Sequence, residues 1–348
     1  MVSDVTRAGL ARHTTLRLGG PAGDLVEATD QHAIVAAIRA GGPDDVLILA
    51  GGSNVVIADA GFPGRVVLVR SSGITVYRED SAVRLTVAAG HPWDDVVSFA
   101  VSEGLAGVEC LAGIPGSAGA TPIQNVGAYG QEVSETIVGV QVYDRVTDSV
   151  SWFTPTQCGF AYRTSVFKHV SRWVVLAVTF SLRPARLSAP LRFAELTRAL
   201  GAESAPLADV RAAVVELRRA KGMVLDPYDP DTYSVGSFFT NPVLAPDAFA
   251  LLRERALAAV GAEPPAWPAP DGVKTSAAWL IERAGFHRGF DGGHPGVALS
   301  SKHTLALTNR GSATTAALLA LARDIRDGVR KSFEVELHPE PVLINCTL

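Results

Sequence analysis

Residues Gly113-Ile114-Pro115-Gly116-Ser117-Ala118-Gly119-Ala120-Thr121-Pro122-Ile123-Gln124-Asn125-Val126-Gly127-Ala128-Tyr129-Gly130 decide the reading of this chain. Five glycines and two prolines fall within these eighteen residues, with no charged side chain and one aromatic ring. An exposed loop would be more polar, and an interior strand would not carry so many glycines. Backbone laid closely along a second surface accounts for both facts. Glycine permits the close approach and leaves N–H groups free to meet an anion or a ring edge. A flexible linker is the plain alternative; the interleaved Ile, Val and Tyr argue for burial instead.

A second glycine-rich segment, Ala50-Gly51-Gly52-Ser53-Asn54, follows the apolar run Val46–Leu49 and precedes Val55–Ile57. A strand ending in Gly-Gly-Ser-Asn presents consecutive backbone N–H groups and two hydrogen-bonding side chains, which suits a diphosphate. Taken alone, the same four residues read as a tight hairpin. Two such cradles in one strand-rich region point to a long dinucleotide. It is not held in the Rossmann manner, because G-x-G occurs nowhere, and no phosphate loop ends in Gly-Lys. The eight histidines form no convincing metal spacing, and G-x-S-x-G is absent.

Composition narrows the class. A chain of 348 residues, 47% hydrophobic, can bury a large core and is long enough for two or three domains. The net charge of −4 is spread without blocks, which gives no support to nucleic-acid binding. Cys110, Cys158 and Cys346 are odd in number and far apart, as expected of reduced thiols rather than a disulfide frame or zinc site. Met1–Gly20 carries no apolar run of signal-peptide length, and no stretch reaches the roughly 18 apolar residues of a membrane span. A soluble, cytoplasmic protein is expected.

Periodicity gives an α+β chain. Strands are expected at Asp24–Ala28, Val46–Ala50, Arg65–Val69 and Val83–Ala88, with helices at Gln31–Ala40 and Asp94–Glu103. Ile137–Tyr143, Val150–Phe153 and Trp173–Leu182 read as a second sheet. In the second half, Ala208–Lys221 is a helix with Val210, Val214 and Leu217 inward and Arg211, Arg218 and Arg219 outward. Pro246–Val260, Ser276–Ala284 and Ser312–Val329 also read as helices, and Thr304–Thr308 and Phe333–Leu337 as strands. Prolines and small residues place the break between halves at Arg183–Pro190 and a second soft region at Gly261–Gly272.

Six segments together carry a specific resemblance. They are Thr14–Gly20 (TTLRLGG), Gly51–Asn54, Gly113–Gly130, Phe160–Lys168 (FAYRTSVFK), Gly236–Pro242 (GSFFTNP) and Leu337–Glu340 (LHPE). In this order, from Thr14 to Ile344, the chain resembles the UDP-N-acetylenolpyruvoylglucosamine reductase (MurB) family. The resemblance implies an FAD-binding domain of the vanillyl-alcohol-oxidase/p-cresol-methylhydroxylase type at 14–185, in two α+β lobes of about 14–70 and 71–185. A C-terminal α+β substrate domain at 205–348 would follow, its last strand returning to the flavin. NADPH would reduce a non-covalent FAD, and the flavin would reduce UDP-N-acetylglucosamine enolpyruvate to UDP-N-acetylmuramate for peptidoglycan. Gly51, Gly52, Ser53, Asn54, Gly113, Pro115, Gly116, Gly119, Thr121, Ile123, Gln124 and Gly127 would hold the cofactor.

The same resemblance assigns the chemistry. Hydride delivered to C3 of the enolpyruvyl group leaves negative charge on C2 and the carboxylate, and preorganised electrostatics must meet it. Arg163 would take that carboxylate with two parallel bonds. Glu340 would stand beside it as a protonated donor, which requires burial to raise its pKa. Ser237 would protonate C2, with Gly236 allowing close approach and Phe238 and Phe239 excluding water. Tyr129, Tyr162, Asn241 and Lys274 would line the sugar-nucleotide pocket, and Lys221 would meet the diphosphate. Where some relatives carry a tyrosine on a closing loop this chain has Phe193, and where some carry a hydroxyl it has Ala120. An oxidase of the same superfamily is the rival enzyme, although Ser53-Asn54 offers no His or Cys for a covalent flavin. A non-catalytic flavin or nucleotide-sugar binder is the other alternative. The resemblance leans towards a monomer, without metal, membrane or nucleic-acid partners.

Overall fold

The computed structural model describes residues 9–42 and 45–348, and their contacts divide into two units. The first comprises Ala22–Gly52 and Phe62–Val224; the second comprises Gly9–Pro21, Ser53–Gly61 and Leu225–Leu348.

The first unit holds two large sheets and a small hairpin of Gly127–Ala128 with Gln131–Glu132. In the parallel one, Phe62–Val69 lies between Ala22–Ala28 and Val46–Leu49. Such a sheet needs a crossover helix, and Gln31–Arg39 supplies it. Asp30 starts that helix by accepting from the Ala33 N–H at 2.7 Å, and Ile34, Val35, Ala37 and Ile38 form its buried face. The other sheet is antiparallel, in the order Ser149–Phe153, Ile137–Asp144, Trp173–Pro184, Val83–Ala88, Ile74–Arg78. Trp93 and Phe180 are fully enclosed and meet at 5.4 Å between ring centroids. The proline-rich segment Arg183–Pro190 lies inside this unit, which continues through the helix Leu207–Ala220 to Val224.

The second unit is organised on the helix Thr315–Phe333, whose Leu318, Leu321, Ala322, Ile325, Val329 and Phe333 form one buried stripe at helical spacing. Thr314 caps it, and the Asp59 carboxylate accepts the N–H groups of Thr315 and Ala316 at 2.7 and 2.9 Å. Around it lie a three-stranded sheet, a hairpin of Val297–Leu299 with Leu307–Asn309, and Val342–Ile344 running parallel to Val55–Ile57.

Four expectations are corrected here. Phe333–Leu337 is not a strand, because Phe333 completes the apolar stripe and the helix runs to it before Glu334 turns at φ 55°. Thr304–Thr308 shortens and shifts to Leu307–Asn309. The soft region Gly261–Gly272 contains the strand Ala266–Ala269, which pairs with Gly272–Thr275. It is an edge strand, where Pro268 costs no ladder bond. Arg218 points inward and is buried, while Leu217 is only partly covered.

Candidate active site

The glycine-rich segments of the first unit touch. A Cβ added at Gly51 would stand 2.6 Å from Cα of Gly116, so the two backbones approach as only glycines allow. Gly119 lies against Ala89 in the same way, with 2.5 Å to its Cβ, and its N–H donates to the Ala89 carbonyl. Gly113 donates its N–H to Asp94 at 2.6 Å, and Asp94 also accepts from Arg211 at 2.7 Å. Thr121 donates to the Ala118 carbonyl, and Ser117 is buried with a hydroxyl that meets no partner among the described residues. Pro115, Ile123 and Gln124 are half-buried along the same segment. Gly52 ends the first segment at φ 60°, while Ser53 and Asn54 belong to the second unit.

Arg163 is built on a strained turn. Ala161 and Thr164 bond each other across it, and Arg163 sits at φ 55°, a region that costs a non-glycine residue about 1 kcal/mol. The Asn125 amide secures the turn by donating to the Ala161 carbonyl at 3.2 Å. The guanidinium donates to the Gly127 carbonyl at 2.6 Å and to the Asn125 carbonyl at 3.4 Å, and lies over the Tyr162 ring at 5.3 Å. A Cβ at Gly127 would come within 2.9 Å of Arg163 Nη1 and 3.0 Å of the Gln131 carbonyl oxygen, so a larger residue there would displace the guanidinium.

The segments that carry Ser237 and Glu340 meet in the second unit through a short antiparallel pairing. Phe239 pairs with Pro339, the Glu340 N–H donates to the Phe238 carbonyl at 2.8 Å, and Thr240 donates to the His338 carbonyl at 3.1 Å. Ser237 is therefore one register step from the residue opposite Glu340. The fully buried Phe238 and Phe239 follow it in the chain, their rings 5.1 Å apart. The Ser237 hydroxyl is half-exposed and makes no hydrogen bond to any described residue. Asn54 donates to the Glu340 carbonyl at 3.4 Å, and its own carbonyl accepts from Val342. Gly236 turns the chain into this pairing at φ 74°.

An FAD binding domain model matches residues 24–150, and a model of the UDP-N-acetylenolpyruvoylglucosamine reductase C-terminal domain matches residues 226–344. The UDP-N-acetylenolpyruvoylglucosamine reductase of Salinispora arenicola (strain CNS-205) is 58% identical over 347 residues, covering 97% of this chain and 95% of the relative. That of Thermobifida fusca (strain YX) is 55% identical, covering 97% of each. The chain belongs to this reductase family. The crystal structure of the reductase (MurB) from Thermus caldophilus shares the fold, with a TM-score of 0.66 at 22% identity over 97% of this chain and 98% of that one.

The reductase is thus an FAD-dependent oxidoreductase with an α+β flavin-binding domain and the family's C-terminal domain. The residues fit the cofactor. Mutually contacting glycine backbones and the orphaned Ser117 hydroxyl are what a bound dinucleotide would contact and satisfy.

The residues expected to meet substrate divide between the units. In the first, Tyr129 and Gly130 form a two-residue hairpin turn, both at positive φ (49° and 84°), between Gly127–Ala128 and Gln131–Glu132. The Tyr129 ring meets Phe193 edge-on at 5.2 Å, Lys221 Nζ lies 5.7 Å from its centroid, and burial pushes its phenol up to about 12. Lys221 is held by Glu195 at 2.6 Å. Tyr162 is 37% exposed. In the second unit, Lys274 pairs across strands with Val243 and Trp267, and the Asn241 amide oxygen accepts from Ala277 N.

Arg218, Glu195, Asp94 and Ser117 are the site neighbours that sequence reading passed over. Burial lowers the Arg218 guanidinium to about 10, still charged at neutral pH, and its Nε has no partner among the described residues. Spacing alone signals this: Arg218 follows Val210 and Val214 at intervals of four on one helical face.

Proposed function

We propose that this reductase converts UDP-N-acetylglucosamine enolpyruvate to UDP-N-acetylmuramate with Arg163, Ser237 and Glu340 as its catalytic residues. It acts with NADPH in peptidoglycan precursor synthesis, as a cytoplasmic monomer. Held by the two glycine-rich segments, FAD reduced by NADPH would supply the hydride for C3 of the enolpyruvyl group. Arg163 binds the substrate carboxylate, onto which charge from C2 delocalises; its guanidinium is oriented beforehand by the Gly127 and Asn125 carbonyls. Ser237 donates its proton to C2, and Glu340, protonated, hydrogen-bonds the enolate-like carboxylate. Tyr129, Tyr162, Lys221, Asn241 and Lys274 bind the sugar nucleotide. Residues of both glycine-rich segments, with Ser53 and Asn54, bind FAD non-covalently.

One observation carries this reading. The pairing of 238–240 with 338–340 holds the backbone of Ser237 one residue from the position opposite Glu340, next to two buried phenyl rings, and the Ser237 hydroxyl has no acceptor among the described residues, which supports the reading. A hydroxyl engaged by the protein would be a poorer proton donor to a carbon. Ser237→Ala tests it. FAD content and flavin reduction by NADPH should be unchanged, while reoxidation by the enolpyruvyl substrate slows by about 100-fold or more in stopped-flow absorbance. Reoxidation at the wild-type rate would remove Ser237 from the reaction.

A further inference from the structure

The two glycine-rich segments, 50–54 and 113–130, contain no lysine or arginine. They offer backbone dipoles to a dinucleotide whose diphosphate carries two negative charges, and a fixed cation is the missing element.

Arg70 stands at the position where such a cation belongs. It follows the central strand Phe62–Val69 of the parallel sheet, and Gly51 lies just beyond the neighbouring strand Val46–Leu49. Both are therefore at the carboxyl ends of parallel strands, the edge at which open sheets of this kind bind ligands. Arg70 Nη1 donates to the Ala50 carbonyl at 2.8 Å and to the Val69 carbonyl at 3.2 Å, which fixes the guanidinium against the residue preceding Gly51. Its backbone is pinned from the other side as well. A Cβ at Gly90 would meet Ser71 N at 2.6 Å and the Arg70 carbonyl carbon at 2.9 Å, and Gly90 N–H donates to the Ser71 hydroxyl. Gly90 lies between Ala89 and His91, whose carbonyls accept the N–H groups of Gly119 and Ala118. One arginine is thus tied to both segments. Among the described residues its Nε and Nη2 meet no acceptor and no carboxylate pairs with it.

We propose that Arg70 is the fixed cation of the FAD diphosphate site, its Nη1 spent on the Ala50 carbonyl and its remaining N–H groups directed to phosphate oxygen. The proposal rests on the reading of the two glycine segments as the flavin cradle. Arg70 is half-buried, so its charge acts in surroundings where salt screens it less than on an open surface.

The test is FAD release from diluted full-length holoprotein, followed by recovery of free-flavin fluorescence at several salt concentrations. Arg70→Gln should raise the FAD dissociation constant about 10- to 100-fold, the range for a charge-assisted hydrogen bond, and flatten its salt dependence. Arg70→Lys keeps the charge and should recover most of the loss. The melting temperature of the flavin-free protein should stay within about 2 °C of wild type for both. FAD affinity within twofold of wild type in Arg70→Gln, or equal losses in the two variants with a lowered melting temperature, would overturn the proposal in favour of a structural tether. Gly51→Ala, measured alongside, separates the readings: loss of FAD there with none in Arg70→Gln leaves the cradle standing and removes the cation.

Discussion

Replacing Gly51 by alanine adds one methyl group where the structure leaves no room for it. The new Cβ would lie 2.6 Å from Cα of Gly116, 3.1 Å from its carbonyl carbon and 3.5 Å from its nitrogen. Carbon atoms in ordinary contact stand about 3.5–4.0 Å apart, so the segments must separate by roughly 1 Å. No side chain can rotate to absorb this, because every near atom is backbone. Gly116 is also anchored, since its carbonyl accepts from Trp93 and its neighbours Ala118 and Gly119 donate to His91 and Ala89. Overpacking of this kind costs about 1–3 kcal/mol. A cofactor that needs both segments at their native spacing should therefore bind about 5- to 150-fold more weakly. Dilution of the holoprotein with fluorescence detection of released FAD measures it. Gly201→Ala is the control, because Gly201 ends a helix at φ 65° with nothing within 4 Å of an added Cβ. It should lower the melting temperature through backbone strain of about 1 kcal/mol and leave FAD affinity unchanged. Wild-type affinity in Gly51→Ala would refute the reasoning.

Three further outcomes are expected. Arg163→Lys keeps the charge but loses the planar fork, and should cut kcat by about 100-fold with flavin reduction by NADPH intact; a loss below threefold would count against carboxylate binding there. Glu195→Gln should free Lys221 for the diphosphate and lower KM for the enolpyruvyl substrate up to about fivefold at constant kcat, the scale of a half-exposed ion pair; an unchanged KM would show that Lys221 does not meet the ligand. Burial pushes the thiols of Cys110 and Cys158 up to about 12 and about 11, so a thiol reagent at pH 8 should leave both unmodified in the native protein and label all three cysteines after denaturation.

Much of this was legible in the residues. Regular apolar spacing located Val83–Ala88 and Pro246–Val260 to the residue. The glycine runs signalled closely approaching backbone because a missing side chain is itself a statement about proximity, as Gly51 and Gly116 bear out, while the flavin came from the family resemblance. Long-range pairing was not legible. Val55–Ile57 runs beside Val342–Ile344, and Phe239 beside Pro339, through contacts between residues far apart in sequence that local periodicity cannot register. Arg218 was misread for a different reason: its charge was weighed above its position on the Val210–Val214 face. The Glu195–Lys221 pair was hidden because the two residues lie on different helices, Ala194–Leu200 and the end of Leu207–Ala220.

The central claim is that a hydroxyl, a carboxyl and a guanidinium complete a flavin-driven reduction of an enolpyruvyl ether. Anaerobic titration of the NADPH-reduced protein with UDP-N-acetylglucosamine enolpyruvate tests it most directly. The bleached flavin should regain its yellow absorbance with one equivalent of substrate, and UDP-N-acetylmuramate should form in equal amount. A flavin that stays reduced after substrate is added, with no product, would contradict the account.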